Sequence, residues 1–197
     1  MAETITPVVH GGRKFPYWVS VALHVLGATA ASATFGASLG IVGGLLGAPW
    51  GIAGLWVLAS IALLYALREG LKLPIPVFDR RRQVPEWWRT FYSPPIAALL
   101  YGLGLGVGFL TFLTFGTFVA VTAGALLSGD ALTGAVVCAP FGLARALSIL
   151  VTARVSSGEG AALIVERLDR TGNTAAPRLA NAAVLLALLV VAAIGGG

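Results

Sequence analysis

Residues 17–67 read YWVSVALHVLGATAASATFGASLGIVGGLLGAPWGIAGLWVLASIALLYAL and contain no Asp, Glu, Lys or Arg. Only His24 in this run titrates near neutral pH. A helix needs about 20 apolar residues to cross the roughly 30 Å hydrocarbon layer, so the run is long enough for two crossings. Gly47, Ala48, Pro49 and Trp50 supply its strongest turn chemistry. The reading is therefore helix 1 at about 17–47 and helix 2 at about 51–69. The next segment, LKLPIPVFDRRRQVPEWWRTFYSP, is charged and proline-rich and cannot cross a bilayer. A second uncharged run extends from Thr90 to Gly129 and predicts helix 3 at about 95–127. Ser128, Gly129 and Asp130 form a turn, helix 4 follows at about 131–153, and helix 5 spans about 178–195.

Composition agrees with this reading. The chain has 197 residues, of which 57% are hydrophobic and 11% charged. A soluble domain carries about 25% charged residues, so this chain has too few to solvate a surface around a core. A soluble globular enzyme and a disordered segment are both excluded. A disulfide scaffold is excluded because Cys138 is the one cysteine. The fold class is all-α, a polytopic membrane helix bundle of about five transmembrane helices, forming a single transmembrane domain over 1–197.

The 13 Lys and Arg are concentrated in hydrophilic segments between the apolar runs, which argues against a nucleic-acid partner and for the lipid bilayer. Arg13 and Lys14 lie in the N-terminal tail. Arg68, Lys72, Arg80, Arg81, Arg82 and Arg89 lie at 68–94, and Arg154, Arg167, Arg170 and Arg178 at 154–178. The turns at 48–50 and 128–130 and the C-terminal tail have no Lys or Arg. The positive-inside rule then predicts an inner (plasma) membrane protein with a cytoplasmic N-terminus, an outside C-terminus and cytoplasmic loops at 70–94 and 154–177. An interfacial helix 5 would keep the orientation of the rest. A signal peptide ending at the Ala28-Thr29-Ala30 motif is disfavoured, because the apolar character continues past residue 30. Trp87, Trp88, Phe91 and Tyr92, with Arg89, read as an interfacial anchor. ALIVERLDR (162–170) reads as a short amphipathic helix on the membrane surface.

Laid over one another with a shift of 80, residues 34–67 and 114–147 match at eleven of 34 positions, beginning with Thr34-Phe35-Gly36 over Thr114-Phe115-Gly116. The turns coincide as well. This predicts an internal two-helix repeat, about 17–69 and about 95–153, parallel in topology; duplicated units are frequent in transporters, with the working site at their interface. Helices 1 and 3 would each be roughly 46–50 Å long at 1.5 Å per residue, well beyond the hydrocarbon thickness. Each must tilt, protrude or break, and the two Thr-Phe-Gly triplets are the expected places for a break.

Gly36, Gly40, Gly44, Gly47 and Gly51 step along helix 1 at spacings of three or four, and Gly102, Gly104, Gly106 and Gly108 open helix 3. Small residues at such spacing let helix backbones approach closely. Gly40, Gly44, Gly102 and Gly106 are the expected packing positions, within the chain, in a homo-oligomer or against other membrane subunits. No strand precedes these glycines, so a phosphate-binding loop is excluded. Arg145 is the most informative polar residue, because an arginine deep in a span is costly and marks function by default; the alternative is a side chain snorkelling to the interface. Pro140, Gly142 and Arg145 together predict a kinked polar spot facing helix 3. The pathway residues expected from these patterns are Arg145, Thr34, Gly36, Thr114, Gly116 and His24. Every Asp and Glu falls in a loop, tail or turn in this reading, so no intramembrane carboxylate is expected. No nucleophile–base pair, metal-ligand spacing or cofactor motif is present, and no enzymatic activity, metal or cofactor is expected.

GFLTFLTFGTFVAVTAGALLSGDALTGAVVCAPFGLARALSIL (108–150), ALREGLKLPIPVFDRRRQVP (66–85) and RLANAAVLLALLVVAAI (178–194) resemble the cytochrome c biogenesis protein CcdA and the membrane domain of DsbD. The resemblance implies a transporter- or conduit-like helical scaffold. That family has Pro-Cys where this chain has Phe35-Gly36 and Phe115-Gly116, and six helices in inverted halves. No catalytic residue carries over, and thiol exchange would need a second sulfur. Two functional classes follow: a conduit moving a small solute or ion, or a non-catalytic accessory subunit held by its glycine faces in a larger membrane complex.

Overall fold

The computed structural model describes residues 14–76, 87–108, 116–154 and 174–195, together with Ile5, Gly160, Leu163, Glu166 and Arg170. The described residues are helical, with no strand among them. The elements are α1 (Lys14–Leu45), α2 (Gly51–Leu71), α3 (Trp88–Phe91), α4 (Pro94–Gly106), α5 (Thr117–Ser128), α6 (Ala131–Leu147), a 3-10 segment (Ser148–Arg154) and α7 (Ala175–Gly195). Four stretches are long and apolar enough to cross a membrane: Phe15–Leu45, Gly51–Leu71, Ala131–Val151 and Ala175–Ile194. Their outward faces carry Leu45, Ile52, Trp56, Leu132, Val136, Val191 and Ile194. Such an apolar exterior suits lipid and would aggregate in water.

The fifth expected span is interrupted. Instead of one helix over about 95–127, the chain forms α4 of 13 residues and α5 of 12 residues. At 1.5 Å per residue these are about 20 Å and 18 Å long, so neither covers the hydrocarbon layer alone. α4 ends at Val107 and Gly108, and Gly108 has φ +76°, a backbone conformation natural to glycine. α5 begins after Gly116. Of the triplet expected to break, Gly116 stands at the edge of the interruption, while Thr114 and Phe115 lie outside the described residues. The matching triplet in the first half behaves otherwise. Thr34, Phe35 and Gly36 lie in the unbroken 32-residue α1, which at about 48 Å keeps its length by continuing rather than by breaking.

The chain divides into two compact units. The first comprises residues 1–32, 81–111 and 140–173. Its core gathers Ile5, Tyr17, Val21, Ala98 and Ile149, with a second cluster of Ala28, Leu105 and Ala146. α1 and α4 meet backbone to backbone here: a Cβ on Gly102 would collide with the His24 carbonyl, and one on Gly106 with the Ala28 carbonyl. Gly142 of α6 lies against Ser32 and Ala28 in the same way. Trp88 of α3 lies 5.9 Å from the Tyr101 ring, while Trp87 and Phe91 are exposed.

The second unit comprises residues 33–80, 112–139 and 174–197. α2 packs along α7, and Ala66, Ala120 and Leu185 form its core with Ile61, Tyr65 and Leu188. Gly36 is pressed onto the Gly134 carbonyl and Cys138, Gly40 onto the Asp130 carbonyl, and Gly44 onto the Gly129 carbonyl. The two turns free of Lys and Arg also meet, because Gly129 lies against Ala48 and Pro49. Asp130 starts α6 by accepting the Thr133 N–H at 2.6 Å. That N–H, and then the Thr133 hydroxyl, hold its carboxyl below the usual carboxylate range. Most of 162–170, the expected surface helix, lies outside the described residues; Glu166 and Arg170 within it form an i, i+4 ion pair.

Candidate functional site

Two helix ends, the last turn of α4 and the first turn of α5, bound the segment between Gly106 and Thr117. The last carbonyls of α4 and the first N–H groups of α5 have no intrahelical partners. In lipid each such group must be satisfied by protein or by enclosed water. Arg145 and Glu69 bond to the main chain at these two ends.

At the α4 end, in the first unit, the Arg145 guanidinium donates from Nη1 to the Leu105 carbonyl at 3.1 Å. The Gly108 N–H donates to the same carbonyl at 3.2 Å. The Arg145 guanidinium also lies over the Phe141 ring, 5.6 Å from its centroid. A cation at a helix C-terminus meets the negative end of the helix dipole. Arg145 thus bonds to the main chain of α4, the first half of the expected helix 3. One end of the same α4 also engages His24, which is 1% exposed and has Nδ1 3.2 Å from the Ala98 carbonyl.

At the α5 end, in the second unit, the partner is a residue the sequence reading left in a loop. Glu69 lies in the last turn of α2 and is 2% exposed. Its Oε1 accepts the Gly116 N–H at 3.2 Å and pairs with the Arg68 guanidinium. An anion at the N-terminus of α5 meets the positive end of that helix. Arg178 of α7 donates to the Glu69 carbonyl at 2.7 Å, which satisfies an end group of α2. The Tyr65 ring covers Gly116 so closely that a Cβ there would collide with it. Thr117 and Asn181 share a hydrogen bond between α5 and α7. An acidic residue in the last turn of a helix opposes that helix's own dipole. Glu69 in the Arg68-Glu69-Gly70 sequence carried that signal.

The residues expected to form one pathway fall in both compact units. His24 and Arg145 belong to the first unit, and Thr34, Gly36 and Gly116 to the second. Thr34 is exposed, and its carbonyl accepts the Ser38 hydroxyl at 2.9 Å. Gly36 serves the contact of α1 with α6, and Gly116 the contact of α5 with Tyr65 and Glu69. Among the described residues no group of three or more His, Cys, Asp or Glu is placed to hold a metal ion.

The described residues define an all-helical membrane bundle, with Arg145 on the end of α4 in the first unit and Glu69 at the start of α5 in the second. The chain is similar to curated proteins that carry one name, methylamine utilization protein MauF. The relative from Paracoccus versutus is 34% identical over 151 residues, covering 75% of this chain and 55% of the relative. Those from Methylophilus methylotrophus and Methylorubrum extorquens are 33% and 32% identical, covering 65% and 68% of this chain. The chain spans about half the length of these relatives. No protein-family model matches it, and no solved structure does. The finding corrects the CcdA- and DsbD-like reading of 66–85, 108–150 and 178–194, because all five matching relatives are MauF proteins. Small apolar residues carried that resemblance, and any tightly packed membrane bundle is rich in them.

Proposed function

We propose that this chain is an integral membrane component of methylamine utilization and that it acts as a conduit for a small solute or ion. The methylamine link comes from the MauF relatives' name. The conduit reading is supported by two capped helix ends, Arg145 on the end of α4 in the first unit and buried Glu69 at the start of α5 in the second. Discontinuous helices with polar ends are the usual means by which membrane transporters offer backbone groups to a solute. A helix serving only as a lipid-facing spacer has no reason to carry two ionisable caps at such desolvation cost. The accessory-subunit reading rested on glycine faces open to a partner. Gly36, Gly40, Gly44, Gly102 and Gly106 are instead occupied by contacts inside the chain, so in that reading a partner would meet the exposed apolar faces of the helices.

Growth tests the proposal. A methylamine-using host lacking the corresponding gene is complemented with the wild-type chain and grown on methylamine as sole nitrogen source. Restored growth with the wild type, and failure with Arg145→Ala at equal membrane abundance, is the expected result. Normal growth of the deletion strain would remove the methylamine assignment. Full function of the Arg145→Ala protein would remove the capped interruption as the working part.

A further inference from the structure

α2 ends in a short strap. Lys72 adopts φ +57°, and its N–H returns to the Arg68 carbonyl, which closes the helix. Leu73, Pro74, Ile75 and Pro76 then turn back over the helix end. Two side chains of α2, Tyr65 and Arg68, hold this strap. The Tyr65 hydroxyl donates to the Pro76 carbonyl at 3.2 Å, and Arg68 Nε donates to the Ile75 carbonyl at 2.8 Å. Residues at i and i+3 share one face of a helix, so the two holds lie side by side.

Both side chains also engage the start of α5. The Tyr65 ring covers Gly116, and Arg68 Nη1 donates to Glu69, whose Oε1 accepts the Gly116 N–H. Two parallel links therefore run from the strap to the first turn of α5. One passes through an aromatic ring, from phenol to ring face. The other passes through a guanidinium fork, with Nε on the strap and Nη1 on the carboxylate; a planar fork can hold two acceptors in fixed relation, whereas a lysine ammonium cannot. Arg178 fixes the Glu69 main chain from α7, so the carboxylate is the part of this assembly free to respond.

The geometry points to a conformational coupling in which the Leu73–Pro76 strap, acting through Tyr65 and the Arg68–Glu69 pair, determines whether the first turn of α5 is docked. Glu69, Arg68 and Tyr65 are positioning residues in this device. A seated strap keeps the guanidinium on the carboxylate and the carboxylate on Gly116. A displaced strap draws both Arg68 and Tyr65 away and frees the α5 end of the interrupted span. This coupling depends on no assumption about what crosses the membrane, and it stands or falls separately from the conduit reading.

Hydrogen–deuterium exchange of the purified full chain in detergent, followed by mass spectrometry, reads both ends of the device. The decisive variant is Pro74→Gly with Pro76→Gly, which loosens the strap and alters none of Tyr65, Arg68, Glu69 or Gly116. It is expected to speed exchange in the Gly116–Ala120 peptide at least about threefold, as local opening becomes easier. Glu69→Gln replaces a charged acceptor by a neutral one and is expected to speed the same peptide about tenfold, with the strap unchanged. Arg68→Lys speeds both peptides. Tryptophan fluorescence and the thermal midpoint show that each variant is folded. Gly116–Ala120 exchange within twofold of wild type in the double proline variant overturns the coupling, whatever the strap itself does. The same null result in Glu69→Gln overturns the carboxylate link.

Discussion

Arg145 and Glu69 each hold the main chain of a helix end by a hydrogen bond. Each would be expensive in hydrocarbon. Each is placed at the helix end whose dipole it complements, Arg145 at the carbonyl end of α4 and Glu69 at the amide end of α5. The Arg145 guanidinium donates to the Leu105 carbonyl of α4. Hydrogen bonds to charged groups contribute about 1.5–3 kcal/mol. Arg145→Ala should therefore lower the unfolding free energy by about 2 kcal/mol, and Arg145→Lys should recover part of it. Denaturing-detergent titration of the purified protein measures this, and an unchanged midpoint for Arg145→Ala would show that the α4 end has another cap.

Among the elements, glycine decides how closely helices approach. Gly36 and Gly106 each face a backbone carbonyl of a neighbouring helix with no room for a methyl group, whereas Gly70 has nothing within 4 Å of where its Cβ would be. Overpacking a tight contact costs about 1–3 kcal/mol, while an unhindered helical Gly→Ala change gains up to about 1 kcal/mol. Gly36→Ala and Gly106→Ala should lower the thermal midpoint in detergent, and Gly70→Ala should hold or raise it. Equal effects at all three positions would mean that helix propensity, not contact, governs them. The repeat partners Gly36 and Gly116 illustrate the limit of sequence symmetry. One lies mid-helix against α6, and the other precedes α5 under Tyr65. The repeat-related glycines thus differ in local structure, and the N–H of the second is received by Glu69.

For the whole molecule, the charge pattern sets the expected orientation. The Gly47 and Gly129 turns meet within the second unit and carry no Lys or Arg, while Arg68, Lys72 and Arg178 gather at the far ends of α2 and α7. The positive-inside rule places the latter at the cytoplasmic face. In a Cys138→Ser background, Ala48→Cys and Ser128→Cys should react with an impermeant maleimide from outside intact cells, and Lys72→Cys only after permeabilisation. Labelling of Ser128→Cys and Lys72→Cys from the same side would overturn this topology.

Membrane class, the positions of α1, α2, α6 and α7, and the turns between them could be read directly from the chain. Hydropathy is a local sum, and a backbone in lipid has few ways to satisfy itself besides the helix. Arg145 stood out for the same reason, as a charge inside an apolar run. The interruption at Gly108, the burial of Glu69 and the strap over α2 could not be read in that way. They depend on pairs distant in sequence, Leu105 with Arg145 at a separation of 40, Gly116 with Glu69 at 47 and Glu69 with Arg178 at 109. Composition tells a residue which solvent it will meet. Only the assembled bundle tells a free carbonyl or N–H which side chain will arrive to cap it.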